Sequence, residues 1–356
     1  MAGPAAAARQ PLRILATLLL ALAAALAAEA LRSPLPWLIG PLLLTAAAGV
    51  AGVPLAAWTP LRNGGQWAIG VALGLYFTPA VVAVVWKLAP AIAAGVLWAF
   101  ALGYAFYRYL CWLHRRDGGL DRATTFFATA IGGASEMAIL AERHGGMVDR
   151  VAAAHSLRVL LVVVIIPFGY QFAGIHGLDA AAPSAGAVDA AGLALLALAS
   201  GAGVALLWRL GAPNPWVLGS LAVTVVLTAS GVELSALPKT VTQAGQLFIG
   251  VALGTRFTPE FLRAAPRWLA GVATGTLAMI LASAGFAWLV ARGAGLHPAT
   301  VLLGTSPGGI AEMCITAKVL QLGVPVVTAF HVVRYVAVLT LTSPFFRWEA
   351  GRRAAV

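Results

Sequence analysis

The sequence predicts an all-α integral membrane protein made of two inverted repeats, each of about five transmembrane helices plus a broken or re-entrant Gly-Gly helix, about 10 to 12 segments in all. Three observations predict it. Hydrophobic residues make up 61% of the 356 and charged residues 10%, with a mean hydropathy of +0.90, whereas a soluble domain carries about 25% charge. Apolar stretches of about 20 residues, enough to span a hydrocarbon core of ~30 Å, recur along the whole length. The chain also repeats itself. Gln66–Pro79 and Gln246–Pro259 agree at ten of fourteen positions, and further echoes follow at nearly the same interval. Pro36-Trp37 returns as Pro215-Trp216, Gly132-Gly133-x-x-Glu136-Met137 as Gly308-Gly309-x-x-Glu312-Met313, and His155-x-x-Arg158 as His331-x-x-Arg334. An ordered set of echoes at one spacing marks a duplicated unit.

The elements follow in order. Segments are expected at about 12–31, 36–53, 65–82, 88–113, 122–143 and 150–172 in the first half, and at about 190–210, 215–232, 243–256, 265–291, 297–320 and 324–346 in the second. Turn signals separate them: Ser33-Pro34, Pro60, Pro79, Asp117-Gly118-Gly119, Gly145-Gly146, Pro213, Pro238, Pro259 and Gly293. The repeats are bounded at 12–172 and 188–347. A Gly/Ala/Pro-rich linker at 173–187 without Lys or Arg joins them. Arg9 and Arg13 before an apolar run resemble the start of a signal peptide. The match of Arg13–Pro36 to the run ending at Pro215 argues for a retained first helix. The fifth segments carry Gly-Gly in mid-run, with Pro307 added in the second, and such breakers free backbone groups that must be buried in protein or line a wet cavity. Close packing of small residues is the rival account of these glycines.

Charge placement sets the topology. If each fifth segment dips in and returns, Arg62, Arg115, Arg122, Arg143, Arg263 and Arg347, among others, fall on one side, and Arg32, Lys87, Lys239 and Arg292 on the other. That obeys the positive-inside rule and puts both termini in the cytoplasm, with an odd number of crossings per half. The expected location is therefore the inner membrane of a bacterial cell, multi-pass. The net charge of +11 is scattered at helix ends rather than gathered in a stripe, which excludes nucleic acid as a partner. Cys111 and Cys314 stand in apolar segments without metal or redox spacing.

Glu136 and Glu312 differ from the other acids, because each follows a Gly-Gly break inside an apolar run. His155 with Arg158, and His331 with Arg334, share one helix face at a spacing of three. A charge at the bilayer centre costs about 2.5–3.5 kcal/mol, so six such groups imply pairing, function or both. One account is structural: Glu136 neutralises Arg158 and Glu312 neutralises Arg334. The other makes them a site near mid-membrane, in which the half-helix N-termini after the breaks offer N–H groups to an anion. There the glutamates take up a proton or cation and the histidines titrate near neutrality. Thr129 and Thr305 precede the breaks and either satisfy freed backbone groups or touch the solute. The candidate solute or ion site is thus Glu136, Glu312, His155, His331, Arg158, Arg334, Gly132, Gly133, Gly308, Gly309, Thr129 and Thr305. Two Glu and two His also suit a metal, but the nearby arginines argue against a cation there, and no metal or other cofactor is expected.

The runs GGASEM with HSLR and PGGIAEM with HVVR, together with the two IGVALG segments, resemble the duplicated membrane family labelled AbrB. Its members also carry transcriptional-regulator and ammonia-monooxygenase labels. The family is similar to cation/proton antiporters and bile-acid-symporter-like transporters. That kinship implies a scaffold part, a moving core, elevator-like motion and a homodimer, and says nothing of the solute. The leading expectation is a secondary transporter or exporter of a small polar or charged solute, driven by a proton or sodium gradient, with the solute and the bilayer as partners. A membrane protein that regulates gene expression indirectly is the rival. Enzymatic activity, including the monooxygenase chemistry of the label, is not expected.

Overall fold

A computed structural model describes residues 4–115, 121–177 and 187–354. Sixteen helices and no strand occur among them. The Asp117-Gly118-Gly119 turn and most of the proposed linker lie outside the described residues.

Six helices are long and apolar enough to cross a membrane: Gln10–Ala30, Ala89–Leu113, Val148–Phe172, Ala190–Arg209, Pro266–Ala294 and Val324–Gly351. A bent pair, Thr59–Gly74 followed by Pro79–Lys87 at 88°, makes a seventh candidate, and Pro36–Val50 and Pro215–Ala229 are shorter apolar helices. The chain is a multi-pass helical membrane protein. The third segment, expected as one run at 65–82, is two helices: the first ends at Gly74 and the second starts at Pro79, and the residue before a proline is disfavoured in a helix.

Contacts divide the chain into two compact units, and each draws on both sequence halves. The first holds Met1–Val84, Pro167–Ala264 and Lys318–Pro325. Its helices are α1 (Pro4–Ala30), α2 (Pro36–Val50), α3 (Thr59–Gly74), α9 (Ala190–Arg209), α10 (Pro215–Ala229), α11 (Lys239–Gly254) and α12 (Pro259–Ala264); most of α4 (Pro79–Lys87) also falls in it. Leu35 and Asn214, directly before the Pro of α2 and α10, both adopt left-handed backbone, at φ 47° and 51°. The following Pro disfavours the right-handed helical region for each.

The repeated Gly-x-x-x-Gly stretches explain the packing of this unit. A methyl on Gly70 would lie 2.6 Å from the Val217 carbonyl of α10, and one on Gly74 would strike Thr224. A methyl on Gly250 would lie 2.6 Å from the Leu38 carbonyl of α2, and one on Gly254 would strike Thr45. Each stretch therefore packs on the second helix of the other half. Between them α3 meets α11, where a methyl on Gly65 would come 2.7 Å from the carbonyl of its repeat counterpart Gly245. Backbones approach this closely only where small residues stand.

The second unit holds Val85–Ile166, Ala265–Ala317 and Val326–Val356. It contains α5 (Ala89–Leu113), α6 (Arg122–Thr129), α7 (Ala134–Arg143), α8 (Val148–Phe172, up to Ile166), α13 (Pro266–Ala294), α14 (Pro298–Thr305), α15 (Ile310–Leu320, up to Ala317) and α16 (Val324–Ala354, from Val326). Trp98 stacks on Phe286 at 4.5 Å and joins α5 to α13. Phe126, Phe127, Tyr107, Phe345 and Phe346 form an aromatic core between α5, α6 and α16. Both fifth segments are interrupted in this unit, at 130–133 between α6 and α7 and at 306–309 between α14 and α15.

Candidate functional site

Every residue expected at the site lies in the second unit. The half-helices begin on side-chain caps. Asp121 accepts the Thr124 amide at 2.7 Å to start α6, and His297 Nδ1 accepts the Ala299 amide at 3.2 Å to start α14. They end early: Thr129 Oγ1 donates to the Phe126 carbonyl and Thr305 Oγ1 to the Val301 carbonyl, in the last turn of each. The threonine hydroxyls thus go to backbone.

The Gly-Gly-x-x-Glu-Met motif is a packing device. A methyl on Gly132 would lie 2.9 Å from Met137 Cε and 3.0 Å from Val338 Cγ1; on Gly308 it would lie 2.6 Å from Met313 Cγ and 3.1 Å from Val162 Cγ1. The first glycine leaves room for the buried methionine five residues on and for a valine of a neighbouring helix. The second glycine leaves room for the glutamate. The carboxylates of Glu136 and Glu312 fold back over Gly133 and Gly309, into the space a Cβ would fill. Gly133 has φ −69° and ψ 142°, open to any residue, so it is the space and not the backbone angle that requires glycine. A carboxylate at the third helical position faces the positive end of its own half-helix, as in a capping box.

The arginines meet the opposite ends. Arg158, 2% exposed, donates to the Ala128 and Ala130 carbonyls at 3.4 and 3.0 Å; Arg334 donates to those of Ser306 and Gly308 at 2.6 and 2.8 Å. These carbonyls end α6 and α14 and continue into the breaks, where no further turn satisfies them. Each arginine also donates to Nδ1 of the histidine three residues earlier, at 2.8 Å. His155 Nε2 stands 2.9 Å from the Phe127 carbonyl and His331 Nε2 2.9 Å from that of Leu303. A carbonyl can only accept, so Nε2 carries the hydrogen and Nδ1 is the acceptor. Both ring nitrogens are spoken for, and neither histidine offers a lone pair to a metal.

This replaces the Glu136–Arg158 and Glu312–Arg334 ion pairs considered above. Among the described residues neither arginine's hydrogen bonds end on a carboxylate. The breaks expose several strong acceptors beside each guanidinium, and each glutamate carboxylate lies over the glycine that precedes its own half-helix. The two breaks are also linked through shared helices. Arg158 of α8 ties the first break while Val162 packs on Gly308 of the second; Arg334 of α16 ties the second while Val338 packs on Gly132 of the first.

One contact of Glu136 escaped sequence reasoning. Tyr335 donates to Glu136 Oε1 at 2.9 Å, and its repeat counterpart is Val159, so comparison of the halves hides it. Lys318 has Glu142 as its counterpart, yet both second half-helices close on a basic residue, Arg143 in α7 and Lys318 in α15, as the helix dipole favours.

A family model described as "Transition state regulatory protein AbrB" matches residues 37–350. The chain is 25% identical over 339 residues to "Uncharacterized protein YhjN" of Bacillus subtilis (strain 168), covering 87% of this chain and 86% of that one. It is 25% identical over 339 residues to "Putative regulator AbrB" of Escherichia coli (strain K12), covering 92% and 94%. No solved structure matches it.

Proposed function

The chain belongs to the AbrB family, and we propose that it works there as a secondary transporter or exporter of a small polar or charged solute, coupled to protons or sodium. The observation that carries this reading is the pair of interrupted helices in one compact unit. Each has an acid folded over the N-terminus of its second half and an arginine tied to the C-terminus of its first. Discontinuous helices with exposed termini are how membrane carriers build ion and solute sites.

The geometry supports a division of roles. The arginines are occupied by backbone carbonyls, so they balance half-helix charge rather than grip the solute. The carboxylates of Glu136 and Glu312 are the exchangeable groups. A proton or sodium ion on the carboxylate lets it leave the helix terminus, and the N–H groups there then donate to an anionic group of the solute. The cation and the solute are thereby bound in sequence at one place, which is a basis for coupling. Gly132, Gly133, Gly308, Gly309, Thr129 and Thr305 shape this place, and His155 and His331 orient the arginines. Division of the chain into two compact units supports an elevator-like motion of one against the other. The basic-residue distribution supports an inner-membrane protein with cytoplasmic termini, and we include a homodimer in the reading by analogy with related carriers.

Solute uptake or efflux in proteoliposomes under an imposed proton or sodium gradient tests this, with Glu136→Gln and Glu312→Gln. The expected result is loss of gradient-driven flux of about tenfold or more in either variant. Unchanged flux in both removes the coupling role. The relative described as a regulator favours a second reading, indirect control of gene expression. It predicts an expression phenotype that persists in these two variants.

A further inference from the structure

The two breaks are built alike, but one of them stands beside an open pocket. It is lined by Gly103 and Tyr104 of α5, Thr129 and Ala130 at the first break, and Thr342 and Phe345 of α16, among others. Thr342 is 2% exposed, and its Oγ1 has no hydrogen-bond partner. The Thr129 carbonyl faces the same place: a methyl on Gly103 would lie 3.3 Å from it. The neighbouring carbonyls of Phe127, Ala128 and Ala130 are taken by His155 and Arg158, whereas that of Thr129 accepts no hydrogen bond among the described residues.

The repeat supplies an internal control. The interval of 176 residues (308 − 132) that carries Gly132 to Gly308 also carries Ala89-Pro90 to Ala265-Pro266 and Gly95 to Gly271. It carries Gly103 to Met279 and, in reverse, Thr342 to Ile166, which are 2% and 3% exposed. Where the first break has a glycine and a hydroxyl, the second has two large apolar side chains. Among the described residues the unpaired hydroxyl and the space beside it therefore occur together at the first break, where the second has Met279 and Ile166.

We propose that the first break alone binds a water-sized hydrogen-bonding molecule, water itself in the resting protein, between Thr342 Oγ1 and the Thr129 carbonyl. The room for a water's centre is about 20 Å³, and one water requires roughly 10–15 Å³ together with two to four polar partners. Thr342 Oγ1, the Thr129 carbonyl and the spare lone pair of the Thr129 hydroxyl meet that need. An apolar cavity of this size would stay dry; one lined by an unpaired buried hydroxyl and an unpaired carbonyl would not. The first break is accordingly the hydrated one and the second the dry one. This holds whether or not the protein transports.

The test uses the full chain purified in detergent or nanodiscs. A high-resolution map should show an ordered peak within hydrogen-bond distance of Thr342 Oγ1 and the Thr129 carbonyl. The peak should vanish in Thr342→Val, and none should stand beside Met279 and Ile166. Hydrogen exchange should run about tenfold or more faster at the Ile131, Gly132 and Gly133 amides than at Gly308 and Gly309. Gly103→Met should remove that difference. If this variant does not fold, Gly103→Ala, whose methyl lands against the Thr129 carbonyl, should reduce it. An empty pocket, acyl-chain density in it, or equal exchange at the two breaks in the unmodified protein would overturn the proposal.

Discussion

Arg158 donates to Nδ1 of His155 at 2.8 Å, and Arg334 donates to Nδ1 of His331 at the same 2.8 Å. Each pair closes a chain from carbonyl to imidazole to guanidinium to carbonyl. The chain does for an interrupted helix what the missing turn would have done, since it satisfies buried carbonyls that have lost their amide partners.

The fork of the guanidinium is what this role requires. Lysine carries the charge but cannot reach two carbonyls and an imidazole in one plane. Arg158→Lys and Arg334→Lys should therefore destabilise nearly as much as Arg158→Met and Arg334→Met. A hydrogen bond between membrane helices averages about 0.6 kcal/mol, and orphaning a buried acceptor costs about 1–3 kcal/mol, so a loss of roughly 2 kcal/mol is expected for each. Thermal unfolding in detergent, followed by tryptophan fluorescence, should show a midpoint lowered by a few degrees. A lysine variant that melts with the unmodified protein would show that charge alone suffices.

Gly133 and Glu136 should be coupled, because one makes room for the other. Gly133→Ala forces the carboxylate off its helix terminus and should destabilise by about 1–3 kcal/mol. In the background of Glu136→Ala the same change meets no atom closer than 3.5 Å beyond the deleted side chain and should be nearly neutral. The double-mutant cycle should give a coupling of about 1 kcal/mol or more, and Gly309→Ala with Glu312→Ala should repeat it. Additive effects in both cycles would mean that the glutamates do not rest over these glycines.

Much of this was legible in the sequence, for a physical reason. A residue that pays to sit in an apolar run stands out, and duplication shows it twice; Glu136, Arg158, His155 and their counterparts were visible in that way. Their partners were not visible. The sequence offered opposite charges at suitable places and suggested ion pairs, while the acceptors that bind the arginines are backbone carbonyls, which every residue carries and no composition reveals. Tyr335 and Thr342 were missed because the repeat was the guide and both stand where the halves differ, against Val159 and Ile166. Likewise Gly103 reads as any small residue of a membrane helix, and only its contrast with Met279 at the repeat position marks it.

Tyr335 makes the two glutamates unlike each other. Its hydroxyl donates to Glu136 at 2.9 Å, and Val159 offers nothing of the kind. A hydrogen bond to a charged group contributes about 1.5–3 kcal/mol, so Tyr335→Phe should lower stability by about that much in a background with Glu136. It should cost far less beside Glu136→Gln, whose amide is a weaker acceptor. Combination with Glu312→Gln should be additive. Melting midpoints of the unmodified protein, the three single variants and the two double variants decide it, and equal losses in all backgrounds would show that the phenol acts through packing alone.

Gly64 and Gly70 offer a sharper contrast within one helix. Both lie in α3, but a methyl on Gly64 meets no atom within 4 Å, whereas one on Gly70 would collide with Ser220 and the Val217 carbonyl of α10. Alanine is the better helix former by about 0.8–1.0 kcal/mol, so Gly64→Ala should leave the melting midpoint unchanged or raise it. Gly70→Ala gains the same propensity and loses more, because the backbone of α10 cannot yield as a flexible side chain would. The expected net loss is about 1–3 kcal/mol. Gly250→Ala should behave like Gly70→Ala, since its methyl would meet the Leu38 carbonyl of α2. If all three alanines are equally tolerated, the close approach of the repeated stretches to the second helices is not what holds that unit together.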